Sequence, residues 1–138
     1  MIATLSLTTL SLTGCEEFSS HARAAQEVLD GTTLPSDFSP AGTSYPGMTQ
    51  DTPVQKFTAP PGTGLVPSAV HVPDAFERDL TIENQLREGS QPRARGELVG
   101  FWVGPSPVGL GTCNIRITIG DASDGDVRAD VQVACILD

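Results

Sequence analysis

The 138-residue sequence predicts a mainly β protein: a small antiparallel sheet pinned by a disulfide, preceded by one or two short helices and a long proline-rich extended segment. Three observations support this prediction. Apolar and polar residues alternate after residue 96, with the period of a β-strand. Eight of the eleven prolines lie within residues 31–73, where they disfavour helix and central strand. The last two cysteines form an even pair in a chain whose first residues resemble an export signal.

The first 14 residues resemble the apolar part of a secretory signal peptide, and residues 12–15 resemble a bacterial lipobox. Residues 1–14 contain no charge, and Leu12-Thr13-Gly14 leads directly into Cys15. The stretch is shorter than the roughly 20 apolar residues that a membrane-spanning helix needs. We therefore expect a signal peptide over 1–14 and acylation of Cys15, palmitate included. A buried N-terminal strand with a chance cysteine is the alternative.

The same features predict a periplasmic, membrane-anchored protein. Because acidic retention signals at the inner membrane favour Asp after the lipidated cysteine and Glu16 stands there, the outer membrane is favoured over the inner one. Residues 15–31 are then the lipidated N-terminus and a short helix over 19–30, which Ser19 or Ser20 caps and Gly31 ends.

Residues 32–73 have two interpretations. The prolines indicate an extended linker between the anchor and the sheet. The aromatic residues spread through the segment instead suit an extended strand that docks on a partner. The candidate partner contacts are therefore Phe38, Tyr45 and Phe57, together with Trp102 in the later sheet.

A second helix is predicted over residues 74–88, within a helical region that extends to residue 90. Asp74 and Glu77 have the spacing of a capping box. Glu83 and Arg87 can pair across one turn, and Gly89 and Pro92 end the pattern.

Residues 96–138 form a β module with strands over 97–103, 112–119 and Val127–Leu137. In the first strand, Leu98, Gly100 and Trp102 share one predicted face. If Cys113 lies opposite Cys135, partners in the hairpin sum to 248, which places Ile115 opposite Val133. That register makes one face entirely apolar and the other mostly polar, whereas a one-residue slip would mix them. The hydrophobic pattern and the cysteine spacing thus independently predict a Cys113–Cys135 disulfide, and a zinc site would lack two further ligands.

Three segments of this module resemble the Inh-type inhibitors of bacterial metalloproteases and related outer-membrane lipoproteins. They are Glu97-Leu98-Val99-Gly100-Phe101-Trp102-Val103, Cys113-Asn114-Ile115-Arg116 and Ala134-Cys135-Ile136-Leu137. The resemblance covers only the C-terminal part of the chain. It implies a partial lipocalin-like barrel, a periplasmic location and protease binding.

Charge and composition narrow the remaining function classes. Seventeen acidic residues against eight basic ones give a net charge of −9, and one lysine is present. We expect no basic face of the kind that binds nucleic acid. His21 and His71 lie too far apart in the chain to suggest a catalytic pair, so the sequence predicts no enzyme, no cofactor and no metal site. Asp121, Asp124 and Asp126 indicate an acidic hairpin turn rather than a calcium loop.

Two function classes remain. The first is a protein-binding envelope lipoprotein, in its most specific form a protease inhibitor. The alternative is a structural accessory lipoprotein that docks on a larger envelope assembly. Both leave Val127–Leu137 as an unpaired edge strand, so we expect a cover over that edge or over its apolar face. The predicted helix over 74–88 is favoured for this role, acting through Phe76, Leu80 and Leu86, and a partner strand is the alternative.

Overall fold

A computed structural model of the chain describes residues 19–47, 51–88 and 96–137. Cys15 and the expected signal peptide lie outside these residues. The described elements, in chain order, are α1 (Ser20–Asp30), β1 (Ser39–Ser44), β2 (Val54–Ala59), a 3-10 turn (Pro67–Ala69), β3 (Glu77–Arg78), α2 (Leu80–Glu88), β4 (Glu97–Pro105), β5 (Gly111–Asp121) and β6 (Val127–Leu137).

The strands form one antiparallel sheet in the order β1-β2-β6-β5-β4-β3. The mainly β fold class is therefore confirmed. Within the described residues β1 and β3 do not pair with each other, so the sheet is open and does not close into a barrel.

The β5–β6 hairpin has the predicted register. Cys113 is paired with Cys135 and joined to it by a disulfide, and Ile115 is paired with Val133. The isoleucines at 115, 117 and 119 and the odd-numbered residues of β6 from 127 to 135 are all buried on one face. Alternation of side chains along both strands explains why a single register buries the whole set.

The predicted face of Leu98 is wrong. The β4–β5 register shifts between Leu98 and Gly100, so that Leu98 lies opposite Thr118 and Gly100 lies opposite Ile117. The extra residue, Val99, joins the core. A bulge of this kind reverses the alternation on one side of it, so Leu98 does not share the face of Gly100 and Trp102.

The proline-rich segment forms part of the sheet, so the expectation of a linker over its whole length is wrong. Residues 54–59 pair with β6, and residues 39–44 pair with β2 around an irregularity at Pro40–Thr43. Pro53 fits at the start of this pairing because its carbonyl accepts from the Val133 N–H at 3.2 Å and needs no donor of its own. Consequently Val127–Leu137 is an inner strand and not an edge.

Helix α1, and not the 74–88 region, covers the apolar face of the hairpin. Its buried side chains pack on β6 and β5, and these side chains are Ala22, Ala24, Ala25, Val28 and Leu29. Ser19 caps the helix by accepting from the Ala22 N–H at 3.0 Å, and the Gly31 N–H bonds to the Glu27 and Val28 carbonyls. The predicted cap and end of this helix are therefore confirmed.

The second helix begins later than the sequence predicts. Its capping residue is Asp79, which accepts from the Ile82 N–H at 3.0 Å, and not Asp74. Glu77 and Arg78 are drawn into the short strand β3 against Val103 and Trp102. Phe76 is buried over Gly104, where a Cβ would lie 2.4 Å from its ring. Leu80 is 59% exposed, so it covers nothing.

Among the described residues, no helix has the length and apolarity needed to cross a bilayer.

Candidate functional site

The face of the sheet opposite α1 is mostly polar, and we call it the outer face. It is formed by the residues of β2, β4, β5 and β6 that alternate with the core positions. Two adjoining depressions of about 460 and 420 Å³ lie on it and share several lining residues. The side chains that define the outer face are Lys56, Phe101, Val103, Arg116, Thr118, Arg128, Asp130 and Gln132.

Three cations lie on this outer face on three neighbouring strands. Lys56 on β2 is paired with Asp130 on β6, which is in turn paired with Thr118 on β5. Arg116 on β5 is paired with Gln132, and Arg128 lies two residues before Asp130. The strand pairings therefore place the three cations around one carboxylate.

The three cations are exposed and carry a local excess of positive charge. Within the described residues, no carboxylate lies within 4.0 Å of the charged nitrogens of Lys56, Arg116 or Arg128. Asp130 lies among the cations, and Asp121 lines the first depression with Lys56 and Arg128, so the five groups together have one positive charge in excess in a chain of net charge −9. The remainder of the chain then carries −10. The outer face is thus a place where an acidic ligand meets attraction instead of repulsion.

The outer face has an apolar margin on its β4 side. Phe101 lies opposite Arg116, and Val103 lies opposite Asn114. Both side chains are half-buried. A surface that combines arginine with a partly exposed aromatic ring has the composition of a protein-binding patch.

A second cluster of charges lies at the free edge of β4, centred on Glu83 of α2. The Glu83 side chain is completely buried and accepts from the Arg78 Nη2 at 2.7 Å and Nε at 3.0 Å. Arg87 adds a contact at 3.3 Å, which confirms the predicted pair with Glu83. The hydrogen bonds from Arg78, reinforced by the Phe101 N–H, hold the pKa of the Glu83 carboxyl below its usual range.

This cluster completes the sheet rather than forming an open site. The Phe101 N–H donates to Glu83 Oε2 at 3.1 Å, and Arg87 Nη2 donates to the Val99 carbonyl at 3.3 Å. The Asp79 N–H donates to the Phe101 carbonyl at 2.9 Å. The Asp79 main chain and the side chains of Glu83 and Arg87 thus occupy the hydrogen-bonding groups that a longer β3 would have used.

Of the four predicted partner contacts, two are core residues. Phe38 is 5% exposed and Trp102 is 4% exposed, so a partner cannot reach either of them. The Trp102 ring lies over Gly100, where a Cβ would come within 2.7 Å of it. Both predictions were wrong because an isolated aromatic residue in a sequence has no visible partner until the sheet places it.

The other two predicted contacts are more accessible. Phe57 is half-buried and packs against the core from β2. Tyr45 follows β1 and is 38% exposed. Phe57 lines the first of the two depressions and Tyr45 lines neither, so the four aromatic residues do not come together as one surface.

The remaining predicted features lie apart. His21 is exposed on α1, and His71 is exposed at a bridge to Thr33. The hairpin turn closes through an Ala122 N–H bond to the Asp126 carbonyl at 2.8 Å, with Gly125 at a φ of 91°. In the part of the chain that the structure describes, no three His, Cys, Asp or Glu residues are grouped to hold a metal ion.

The sequence prediction missed the outer-face cations. The hairpin register already placed Arg116 beside Gln132 on the polar face, and this signal could have been extended to Arg128. Lys56 could not be added, because nothing in the proline-rich segment indicates that it pairs with β6. This local group of cations was not foreseen from the sequence, and the expectation that the chain has no basic face of the kind that binds nucleic acid stays a prediction.

Comparison with protein-family models, with curated proteins and with solved structures found no match for this chain.

Proposed function

We propose that this protein is a non-enzymatic bacterial envelope lipoprotein that binds an acidic segment of another protein on its outer face. The observation that carries the proposal is the group formed by Lys56, Arg116 and Arg128. The three exposed cations lie on adjacent strands beside half-buried Phe101.

The strands favour binding over catalysis as the role of this group. Sheet strands hold their alternate side chains at fixed spacings of about 4.5–5.5 Å between paired Cβ atoms. Such a lattice presents charges to an extended acidic chain at matching intervals, as electrostatic complementarity requires. The Asp130 carboxylate in the middle adds selectivity, because it repels an acidic group that binds out of register.

The lipoprotein part of the proposal rests on the lipobox-like run that ends at Cys15. The pairing of Cys113 with Cys135 suits the same compartment, since disulfides persist in the oxidising periplasm. Acylation at Cys15 is tested by intact-mass analysis of membrane-extracted protein, where a free thiol at Cys15 would contradict it.

Binding is tested by NMR titration of the full chain with a synthetic acidic peptide of alternating Glu and Leu. We expect amide shift changes at outer-face positions on β2, β5 and β6, and weaker binding as salt is raised. The substitution Arg116→Glu should weaken binding at least tenfold.

The matched control is Arg23→Glu, which changes net charge by the same amount on exposed α1. An equal loss of peptide affinity in the two variants would show that only the net charge of the protein matters, and it would contradict a defined site. Absence of shift changes on the outer face would contradict it as well.

Protease inhibition is the more specific form of this function. It is favoured by the position of the Inh-like segments, because Trp102, Cys113 and Cys135 lie on three adjacent strands of one sheet. Assay of the chain against secreted bacterial metalloproteases tests this form. Loss of protease activity at near-stoichiometric protein is expected, and steady cleavage of the chain itself would contradict inhibition.

A further inference from the structure

One end of the sheet carries exposed apolar side chains beside the beginning of α1. Leu110 in the β4–β5 loop is 75% exposed, and Ile136 near the end of β6 is 69% exposed. Val108 and Leu137 line a shallow groove together with Leu110 and are half-buried. Ile136 alternates with Leu137, so it lies at the same end of the sheet but on the opposite face. We call these four residues the apolar tip.

The fold holds Leu110 outward. The Ser106 hydroxyl bonds to the Val108 carbonyl at 2.6 Å and accepts from the Val108 N–H at 3.1 Å, and the Ser106 N–H bonds to the Gly111 carbonyl at 3.0 Å. Gly111 has a φ of 133° and passes so close to β6 that a Cβ would lie 2.1 Å from the Ile136 carbonyl oxygen. A hydrogen-bonded loop thus presents Leu110 next to the end of β6.

The apolar tip lies where the chain leaves towards Cys15. Ser20 and His21 line the same shallow groove as Val108, Leu110 and Leu137. Five residue steps separate Cys15 from Ser20, which is at most roughly 18 Å of fully extended chain. An acyl group on Cys15 therefore keeps this end of the molecule within that distance of a bilayer.

The opposite end of the sheet is acidic. The β5–β6 turn contains Asp121, Asp124 and Asp126. The 11 residues of β5 separate the turn from Leu110 by roughly 35 Å at the rise of an antiparallel strand. That distance is several times the Debye length of about 8 Å at physiological salt, so the turn escapes repulsion by anionic lipids when the tip faces them.

From these observations we infer that the apolar tip is a membrane-contact surface that inserts Leu110 and Ile136 into the lipid interface. The inference rests on the proposed lipid anchor at Cys15. Two exposed aliphatic side chains do not anchor a protein alone. Tethering makes their contact intramolecular and raises their effective concentration at the surface, so a weak contact suffices to orient the protein. In this orientation the strands run roughly along the membrane normal, and the outer face stays open to the solvent beside the bilayer.

The test is tryptophan quenching in vesicles of phosphatidylethanolamine and phosphatidylglycerol that contain bromine-labelled acyl chains. The acylated full chain is prepared with Leu110→Trp, with Ser123→Trp in the opposite turn as the matched control. Buried Trp102 is common to both, and the unsubstituted chain supplies its signal. We expect at least twofold stronger quenching of the added tryptophan at 110 than of that at 123.

Equal quenching at both positions, in protein whose acylation is confirmed by mass, would overturn the contact surface while leaving the anchor in place. A chain that mass analysis shows to be unacylated overturns the anchor and this inference together. Acidic-peptide binding at the outer face does not depend on either result, so the binding proposal stands or falls separately.

Discussion

The two edges of the β4–β5–β6 unit are completed in different ways. At the β6 edge, the main chain of β2 continues the hydrogen-bonding ladder for six residues. At the β4 edge, β3 pairs over only two residues, and Glu83 and Arg87 of α2 bond to the next backbone groups. The backbone groups at the β6 edge are therefore paired mainly with main chain, and those at the β4 edge are paired largely with charged side chains.

The difference shows that an open edge can be closed without a regular strand. Backbone pairing at β6 requires only that residues 54–59 be extended. The β-branched Val54 and Thr58 favour this, and Pro53 and Pro60 lie just outside the strand, where they remove no donor from the ladder. Side-chain closure at β4 depends on a charged carboxylate, so it responds to pH. Substitutions in the β5–β6 hairpin should affect both edges, whereas substitutions at Glu83 or Phe57 should each affect one edge.

The largest effect is expected from removing the disulfide between the two edges. Replacing Cys113 and Cys135 together by alanine should lower the free energy of unfolding by about 3 kcal/mol, because the bridge closes a loop with a sequence separation of 22. Urea denaturation measures the change. Both edges should lose amide protection equally, since the hairpin supports each of them. Loss at one edge alone would show that the hairpin is not their common support.

At the β4 edge, Glu83→Gln should cost about 2–3 kcal/mol, because it removes charge-assisted bonds to Arg78, Arg87 and the Phe101 N–H. Urea denaturation at neutral pH measures the loss. Glu88→Gln, on the exposed part of the same helix, is the control and should stay within about 0.5 kcal/mol.

The cost of Glu83→Gln should also depend on pH. The folded state lowers the Glu83 pKa, so its stabilisation is fully present above the ordinary glutamate value of about 4.3. It is lost as pH falls through the lowered pKa of the folded state. The stability difference between native protein and variant should therefore shrink towards low pH. A difference that is constant from pH 7 to pH 3 would contradict the charged closure of this edge.

At the β6 edge, Phe57→Ala should cost about 2 kcal/mol, below the usual range for a fully buried phenylalanine because Phe57 is half-buried. The loss should appear as roughly 30-fold faster amide exchange at Ala129 and Val131, whose partners are in β2. No change with pH is expected beyond that of the native protein.

Tyr45→Ala is the control for the β6 edge, because it removes an exposed aromatic ring from the same proline-rich segment. It should leave exchange at Ala129 and Val131 unaltered. Equal acceleration by both variants would mean that β2 depends on the whole segment and not on the anchoring of Phe57 in the core.

The sequence alone determined the parts of the fold whose evidence is local. Alternation of period two, together with one cysteine pair, specified the β5–β6 register because any slip would expose Ile115 and Val133. The Ser19 cap and the Glu83–Arg87 pair were predictable because each depends on residues within one helical turn.

Tertiary structure decided the rest. Residues 54–59 form a strand because β6 offers a row of backbone groups to pair with. Their polar residues and the prolines that flank them do not reveal this in the sequence. The same pairing brings Lys56 to Arg116 and Arg128 and creates the basic outer face. The bulge that moves Leu98 and the burial of Phe38 and Trp102 likewise follow from contacts between segments distant in sequence. The alternation of residues in a short segment shows that the segment can form a strand. Which strand it pairs with depends on the backbone groups and apolar surface that the rest of the sheet offers.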